Sequence, residues 1–316
     1  FLGIIANLVY NMGAAILRAV GDSKRPLYFL SAAGVLNVVL NLIFVIVLHM
    51  DVAGVALATI LSETLSAVLI LNCLCRTDGP CHLNIRKLYI QKDQLIRMLR
   101  IGLPAGIQSG MFSFSNVLIQ SSINSFDDTV LVAGSSASSS VENFVYANVN
   151  SFYQANTAFT SQNFGAGNYK RILKIRHTAV IAGVISTTLL GWIAILFGHQ
   201  LLGIYSTSPE VVQAGMLRMW FMLVVYGLDA LMDVQVGSMR GIGYNVLPML
   251  VSLVGACVFR LVWLATVFQI PAYHRIETVY IVYPISWALT ALAHGICFFF
   301  AYRKVVRTMS PDGETE

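Results

Sequence analysis

Apolar residues run along this chain in long blocks, and polar residues collect in the short stretches between them. Nine blocks can be marked, at roughly 1–19, 27–49, 52–73, 103–124, 130–160, 177–198, 211–238, 247–270 and 279–301. A helix needs about 20 apolar residues to cross a hydrocarbon core about 30 Å thick. The pattern therefore predicts an all-α integral membrane protein with about nine helices. The fifth block is too long and polar for one plain span. Its pattern predicts a membrane helix from about Glu142 onward, approached through the serine-rich stretch 135–140.

Composition sharpens this picture. Only 11% of the residues are charged and 57% are hydrophobic, with a mean hydropathy of +0.72, whereas a soluble domain carries about 25% charged residues. A soluble enzyme is excluded. The net charge of +5 would suit a nucleic-acid binder, but the basic residues sit between spans, so no nucleic-acid partner is expected. All but three of the 20 Lys and Arg fall in one alternating set of connections, from Arg18, Lys24 and Arg25 to Arg303, Lys304 and Arg307. The opposite connections hold Arg275 with Asp51, Asp127, Asp128, Glu210 and Glu277. By the positive-inside tendency the first set and the C-terminus are cytoplasmic, which predicts a multi-pass protein of the plasma (inner) membrane. The first block lacks the features of a signal peptide and reads as the end of a span, so the chain reads as the C-terminal part of something longer.

The longest charged stretch, 76–100, divides the chain. On this reading 1–75 holds the last three helices of an N-terminal lobe and 76–100 is a cytoplasmic linker. The stretch 101–308 is a six-helix C-terminal lobe, and 309–316 is a cytoplasmic tail. A repeat supports the division. Arg18, Gly21 and Pro26 follow the first block, and Arg240, Gly243 and Pro248 follow the seventh at one constant offset. Glycine ends a helix by accepting positive φ, and proline opens the next from its first turn. The arginine complements the helix dipole and anionic lipid. Six spans separate the copies, so both lie on one membrane face, as in a parallel repeat of six-helix units.

These motifs carry a resemblance. The 18–26 motif, Gly102-Leu-Pro104, Ser161-Gln-Asn-Phe-Gly165-Ala-Gly167, Met239-Arg-Gly-Ile-Gly243 and Tyr283-Pro-Ile-Ser-Trp287 together resemble the multidrug and toxic compound extrusion (MATE) family, over its helices four to twelve. The resemblance implies a two-lobed twelve-helix transporter fold with parallel six-helix repeats. It implies an antiporter that exports organic compounds in exchange for Na⁺ or H⁺, with no other cofactor, no enzymatic activity and no obligate protein partner. Organic cations and membrane lipids are then the expected partners.

Ionisable groups inside spans are functional candidates. Asp229 lies eleven residues before Arg240, about 16 Å from the cytoplasmic end at 1.5 Å per residue, and Asp233 lies one turn nearer that end on the same face. Arg260 lies at a similar depth on the next helix, so Asp229 and Arg260 are expected to meet. The resemblance also points to Asp229, since Na⁺-coupled relatives keep an acid on this helix. Their second acid, on helix seven, is replaced here by Phe112, and that helix offers Gln108 and other uncharged polar groups. In the N-terminal lobe, Asn37 and Asn41 share one helix face, and Thr59 and Glu63 share a face of the next. The resemblance would place an Asp where Asn41 stands, which leaves Glu63 as the nearby carboxylate. Glu142, Tyr146, Asn150, Tyr153 and Thr157 form a polar stripe at helical spacing, suited to a large organic cation through charge and cation–π attraction.

Cys73, Cys75, Cys81 and His82 fit no standard zinc spacing, and no metal site is expected. No P-loop, G-x-S-x-G or H-E-x-x-H motif occurs, which removes the machinery of an ATP-driven pump or a membrane hydrolase. A flippase for lipid-linked saccharides is the alternative within the same superfamily. It would need a cationic cavity, and only Arg218 and Arg260 stand out as cations within spans.

Overall fold

The computed structural model describes residues 3–77, 79 and 81–309. Among them every regular element is helical. The chain divides into two compact units, Phe1–Lys92 and Asp93–Glu316. Among the described residues, nine long rods correspond to the nine apolar blocks, and the tail beyond Met309 lies outside them.

The first unit holds α1 (Gly3–Ala19), α2 (Lys24–Asn41, continued by a π-helical turn over Leu42–Val47) and α3 (Asp51–Arg76). Its core forms where Tyr10, Ala14 and Leu17 of α1 pack on Ile70 and Leu74 of α3. Gly13 permits the close approach, since a Cβ there would stand 2.6 Å from Ile70 Cγ1.

In the second unit, α4 (Lys92–Asn124) opens inside the stretch read from sequence as linker. Next comes α5, a single helix from Thr129 to Gly165. The serine-rich approach is therefore the opening of that helix and not a separate segment. Asp128 caps it by accepting from the backbone N–H groups of Val130 and Leu131 at 2.8 and 3.2 Å. Its serines bond back to carbonyls one turn earlier, as Ser136 does to Val132 at 2.9 Å, so the polar run stays helical. The chain continues through α6 (Tyr169–Leu196), the short α7 (Gly198–Gly203), α8 (Pro209–Leu223) and α9 (Gly227–Gly241). It ends with α10 (Val246–Ser252), a π-helical turn over Leu253–Val258, α11 (Phe259–Ala265) and α12 (Ile276–Met309).

The seventh apolar block is not one straight span. It is broken after Leu223, and α8 and α9 meet at a bend of 49°. At the break, Gly191 of α6 comes so close to the carbonyl of Leu223 that a Cβ would lie 2.5 Å from its oxygen. Small residues also bring α5 against its neighbours. Gly134 faces the backbone of Gly215 on α8, and Gly237 and Gly241 of α9 face Tyr153, Thr157 and Thr160. The long polar helix α5 thus becomes the axis of the unit, with α6, α8 and α9 around it.

The two repeat motifs adopt the same turn. Gly21 and Gly243 both have φ +90. Asp22 donates to Leu17 O at 2.9 Å and Gly21 to Arg18 O at 3.0 Å; Tyr244 donates to Met239 O at 3.0 Å and Gly243 to Arg240 O at 3.0 Å. This is the Schellman arrangement that a left-handed glycine closes. Pro26 and Pro248 each occupy the third position of the following helix.

Candidate functional site

The second unit encloses a cavity of about 540 Å³. Asp229, Asp233 and Arg240 reach it from α9, Glu142, Tyr146 and Tyr153 from α5, Arg218 from α8, Arg260 from α11, and Gln108 from α4. Helical spacing places these groups. Asp229, Asp233 and Arg240 recur at one and about two further turns, so a single face of α9 presents all three. Tyr146, Asn150 and Tyr153 of the α5 stripe line the same space.

Six ionisable side chains of opposite sign meet here, and they do not pair as the depths alone suggest. Arg218 takes Glu142, with Nε donating to Oε1 at 2.8 Å and Nη2 to Oε2 at 3.0 Å. Ser138 also donates to Glu142 at 3.0 Å, and Arg218 Nη1 donates to Ser135 at 2.7 Å. Both partners are buried. A two-pronged guanidinium–carboxylate contact is among the strongest side-chain pairings. Glu142 is thereby committed to Arg218, which leaves Asp229 and Asp233 as the other carboxylates lining the cavity.

Arg260 does not ion-pair with Asp229. Its Nε donates to Ser286 Oγ at 2.9 Å, and its guanidinium lies 4.2 Å from the centre of the Tyr283 ring. The π-helical turn before α11 and the packing of α12 aim it there. Asp233 accepts from the Tyr146 hydroxyl at 3.2 Å. Asp229 is buried, and its Oδ2 has no hydrogen-bond partner. The break before α9 matters at this point. Asp229 sits in the first turn of α9, near the positive end of its dipole, while the N–H groups of Leu228, Asp229 and Ala230 already donate across the break to the carbonyls of Val225 and Tyr226.

Arg240 was expected to face the helix end and lipid. Instead it turns into the cavity, where Nη1 donates to Tyr153 Oη at 2.5 Å and Nη2 to Gln108 Oε1 at 2.7 Å. Across the cavity, α4 reaches the rest of the unit through this contact and, at its other end, through the buried Ile119 and Ile123.

In the first unit the four polar candidates separate into three sets of contacts. Asn41 donates to Asn37 at 3.0 Å, and Asn37 donates to Ser62 at 3.1 Å. Thr59 turns back to its own helix, donating to Val55 O at 2.9 Å, and does not meet Asn41. Glu63 accepts from Asn7 of α1 at 3.1 Å.

With this geometry established, comparison with known proteins is informative. A family model described as MatE matches residues 104–265, just over half of the chain. The chain belongs to the MATE family. Its members are transporters, not enzymes, and the helices described above are those of a multi-pass membrane protein. Probable multidrug resistance protein YpnP of Bacillus subtilis (strain 168) is 29% identical over 260 residues, covering 82% of this chain and 58% of YpnP. Probable multidrug resistance protein NorM of Thermotoga maritima is 23% identical over 263 residues, covering 78% of this chain and 54% of NorM. The chain thus spans less than two thirds of each of these curated relatives. Among solved structures, an outward-facing multidrug resistance MATE family transporter superposes with a TM-score of 0.85 at 20% identity, covering 94% of this chain and 66% of that one. The Vibrio cholerae MATE transporter VcmN in its bent form gives 0.81 at 18% identity, covering 97% and 68%. At such identities the superpositions establish the MATE fold.

Two cavity contacts escaped the sequence reading, Arg218 with Glu142 and Tyr146 with Asp233. Arg218 was noticed only as a cation within a span, yet a buried charge requires a partner. It lies nine residues into α8 and Glu142 thirteen into α5, helices that start from the same face. The role of Tyr146 toward Asp233 needed the tertiary packing of α5 against α9, which no local pattern encodes.

Proposed function

We propose that this MATE chain is part of a secondary antiporter that exports organic cations in exchange for Na⁺ or H⁺, in the inner membrane with its C-terminus cytoplasmic. One observation carries the reading: the buried Asp229 oxygen that lacks a partner, on a residue that lines the cavity. A carboxylate held this way invites a cation, because an uncompensated buried charge is costly. Asp233 stands one turn away as a second acceptor, and Tyr146 and Tyr153 supply ring faces for an organic cation. The printed names of YpnP and NorM agree with drug export.

On this reading the coupling ion and the substrate compete for Asp229 and Asp233. Each binds the protonation or charge state that the other vacates, so occupancy by one lowers affinity for the other. Glu142 and Arg218 keep the α5–α8 wall fixed while α9 carries the acceptors. The alternative place for the coupling ion is the first unit, where Asn37, Asn41, Thr59 and Glu63 stand in separate contacts and Glu63, beside Asn7, is the ionisable one.

The test is efflux of a fluorescent organic cation from proteoliposomes holding the protein, driven in turn by a Na⁺ gradient and a pH gradient. Efflux under one gradient, lost in Asp229→Asn, is the expected result. No efflux of any cation under either gradient would overturn the reading.

A further inference from the structure

On the side of α9 away from the acidic cavity lies a second hollow of about 770 Å³ in the same unit. Its floor is a stripe of small residues on α12, Ala288, Ala291 and Gly295, and its walls include Leu228 and Leu231 of α9 and Leu292, Ile296 and Phe299 of α12. The walls are open to the surroundings, with Leu292 65% and Ile296 52% exposed. From Ala288 to Phe300 the hollow follows twelve residues of α12, about 18 Å of helix. One leaflet is half of a hydrocarbon core about 30 Å thick. The trough therefore has the length of one acyl chain layer.

One cation stands in this apolar lining. Arg176 of α6 donates from Nη2 to Gln235 Oε1 at 2.6 Å, and its guanidinium lies 4.5 Å from the centre of the Phe298 ring. Its Nε is enclosed and has no hydrogen-bond partner. Among the described residues no carboxylate lies within ion-pair distance of it. A guanidinium among apolar side chains is costly without an anion, and here the protein supplies only a neutral amide and a ring. An anion from outside would complete this half-buried guanidinium. Arg303, stacked 4.0 Å from the centre of the Phe299 ring, adds positive charge at the same end of the trough. There the hydrogen bond from Tyr302 to Tyr169 O, at 3.1 Å, ties α12 to the start of α6. Lys170, Arg171 and Lys174 follow within the first turns of α6, so this end is basic on both helices.

We infer that this groove is a binding site for an anionic diacyl phospholipid, one acyl chain in the trough over Gly295 and the phosphate at Arg176. Trough length, apolar walls and an anion-seeking guanidinium at one end match a lipid of one leaflet. A free anion would leave the trough empty, and a zwitterionic lipid, though it carries the same phosphate, would bring its own ammonium group to the basic end formed by Arg176 and Arg303. The bound lipid braces the back of α9, because Gln235, which holds Arg176, also donates to Ala291 O of α12 at 3.1 Å.

The experiment is native mass spectrometry of the detergent-purified protein, titrated with palmitoyl-oleoyl phosphatidylglycerol or the matching phosphatidylcholine. Phosphatidylglycerol is expected to be retained about tenfold more tightly, the value of one charge-assisted contact. Arg176→Gln should bring the two lipids to near equality, while Arg176→Lys keeps part of the preference. Ile296→Trp, a substitution at an exposed wall position, should expel both lipids without altering the thermal midpoint. Equal retention by the unaltered protein overturns the inference, as does a preference that survives Arg176→Gln, unchanged retention in Ile296→Trp, or a protein dimer sealed on this face with no lipid. Lipid retention is the readout, so the result is independent of whether the protein transports cations.

Discussion

Arg218 holds Glu142 through two parallel hydrogen bonds of 2.8 and 3.0 Å, on a pair of helices brought together where Gly134 meets Gly215. Three residues of one sign and three of the other line the cavity, yet this is the one direct ion pair among those six. Its effect is to sort the carboxylates. Glu142 is tied into the wall, while Asp233 takes the Tyr146 hydroxyl and the buried Asp229 Oδ2 has no hydrogen-bond partner.

Breaking the pair should therefore cost stability more than selectivity. Glu142→Gln leaves Arg218 as an uncompensated buried charge, a loss of about 3 kcal/mol. The double variant Glu142→Leu with Arg218→Met should recover most of it. Thermal unfolding of the purified protein, followed by reactivity of the buried Cys257 thiol, compares the three. Equal destabilisation of the single and double variants would contradict the pairing.

Asp229→Asn should separate function from folding. The lost oxygen makes no hydrogen bond, so the thermal midpoint should stay close to that of the parent. Gradient-driven efflux of an organic cation should fall by about tenfold or more, the scale of one lost charge-assisted contact. A large drop in midpoint would mean that Asp229 is structural.

Glu63→Gln provides the contrast. A glutamine oxygen can still accept from Asn7, so the α1–α3 contact at 3.1 Å should persist. Efflux is expected to remain within about twofold of the parent, since a surviving hydrogen bond is worth only about 1 kcal/mol in either form. Loss of efflux here, with Asp229→Asn active, would move the coupling site to the first unit.

The paired turns offer a backbone test. Gly21→Ala and Gly243→Ala each force a Cβ into positive φ at a site with open space around it. Each should cost about 1 kcal/mol through strain alone. Gly203→Ala, also in open space but without positive φ, should be nearly neutral. Thermal midpoints of the three variants measure the difference.

Gly241→Val tests the approach of α9 to α5. A Cβ at Gly241 would stand 2.6 Å from Thr160 Cβ, so the helices must part. Overpacking of this kind costs about 1–3 kcal/mol, and Thr160→Ala in the same chain should restore part of it. Failure of Thr160→Ala to help would place the strain elsewhere.

Much of this was legible in the chain before any coordinates. Periodicity and hydropathy gave the rods, and Arg18 with Gly21 and Arg240 with Gly243 marked two turns that prove to share φ and hydrogen bonds. What stayed hidden depends on side-chain reach and helix breaks. Depth put Asp229 and Arg260 at one level, but an arginine can reach several partners, and Ser286 with Tyr283 captured this one. Arg240 was read from its place at a helix end, and its long stem carried the charge inward to Tyr153 and Gln108. The serine run before Glu142 reads from sequence as an approach to the membrane helix and not as its opening, because polar composition outweighs the back-bonding that keeps α5 helical. The bend after Leu223 carries no proline, and the close packing of α6 on both sides of it, at Gly191 and Gly227, is a tertiary contact that no local pattern encodes.

That bend divides one span into two exchangeable cassettes. The half before Leu223 carries Arg218 and the wall contact to α5; the half from Gly227 carries Asp229, Asp233 and Arg240. A chimera joined at Val225 would import a relative's ligand-facing acids onto this protein's own wall. The wall arginine and the cavity's two aspartates thus lie on opposite sides of a 49° joint, each half seated on α5 through its own glycine contacts.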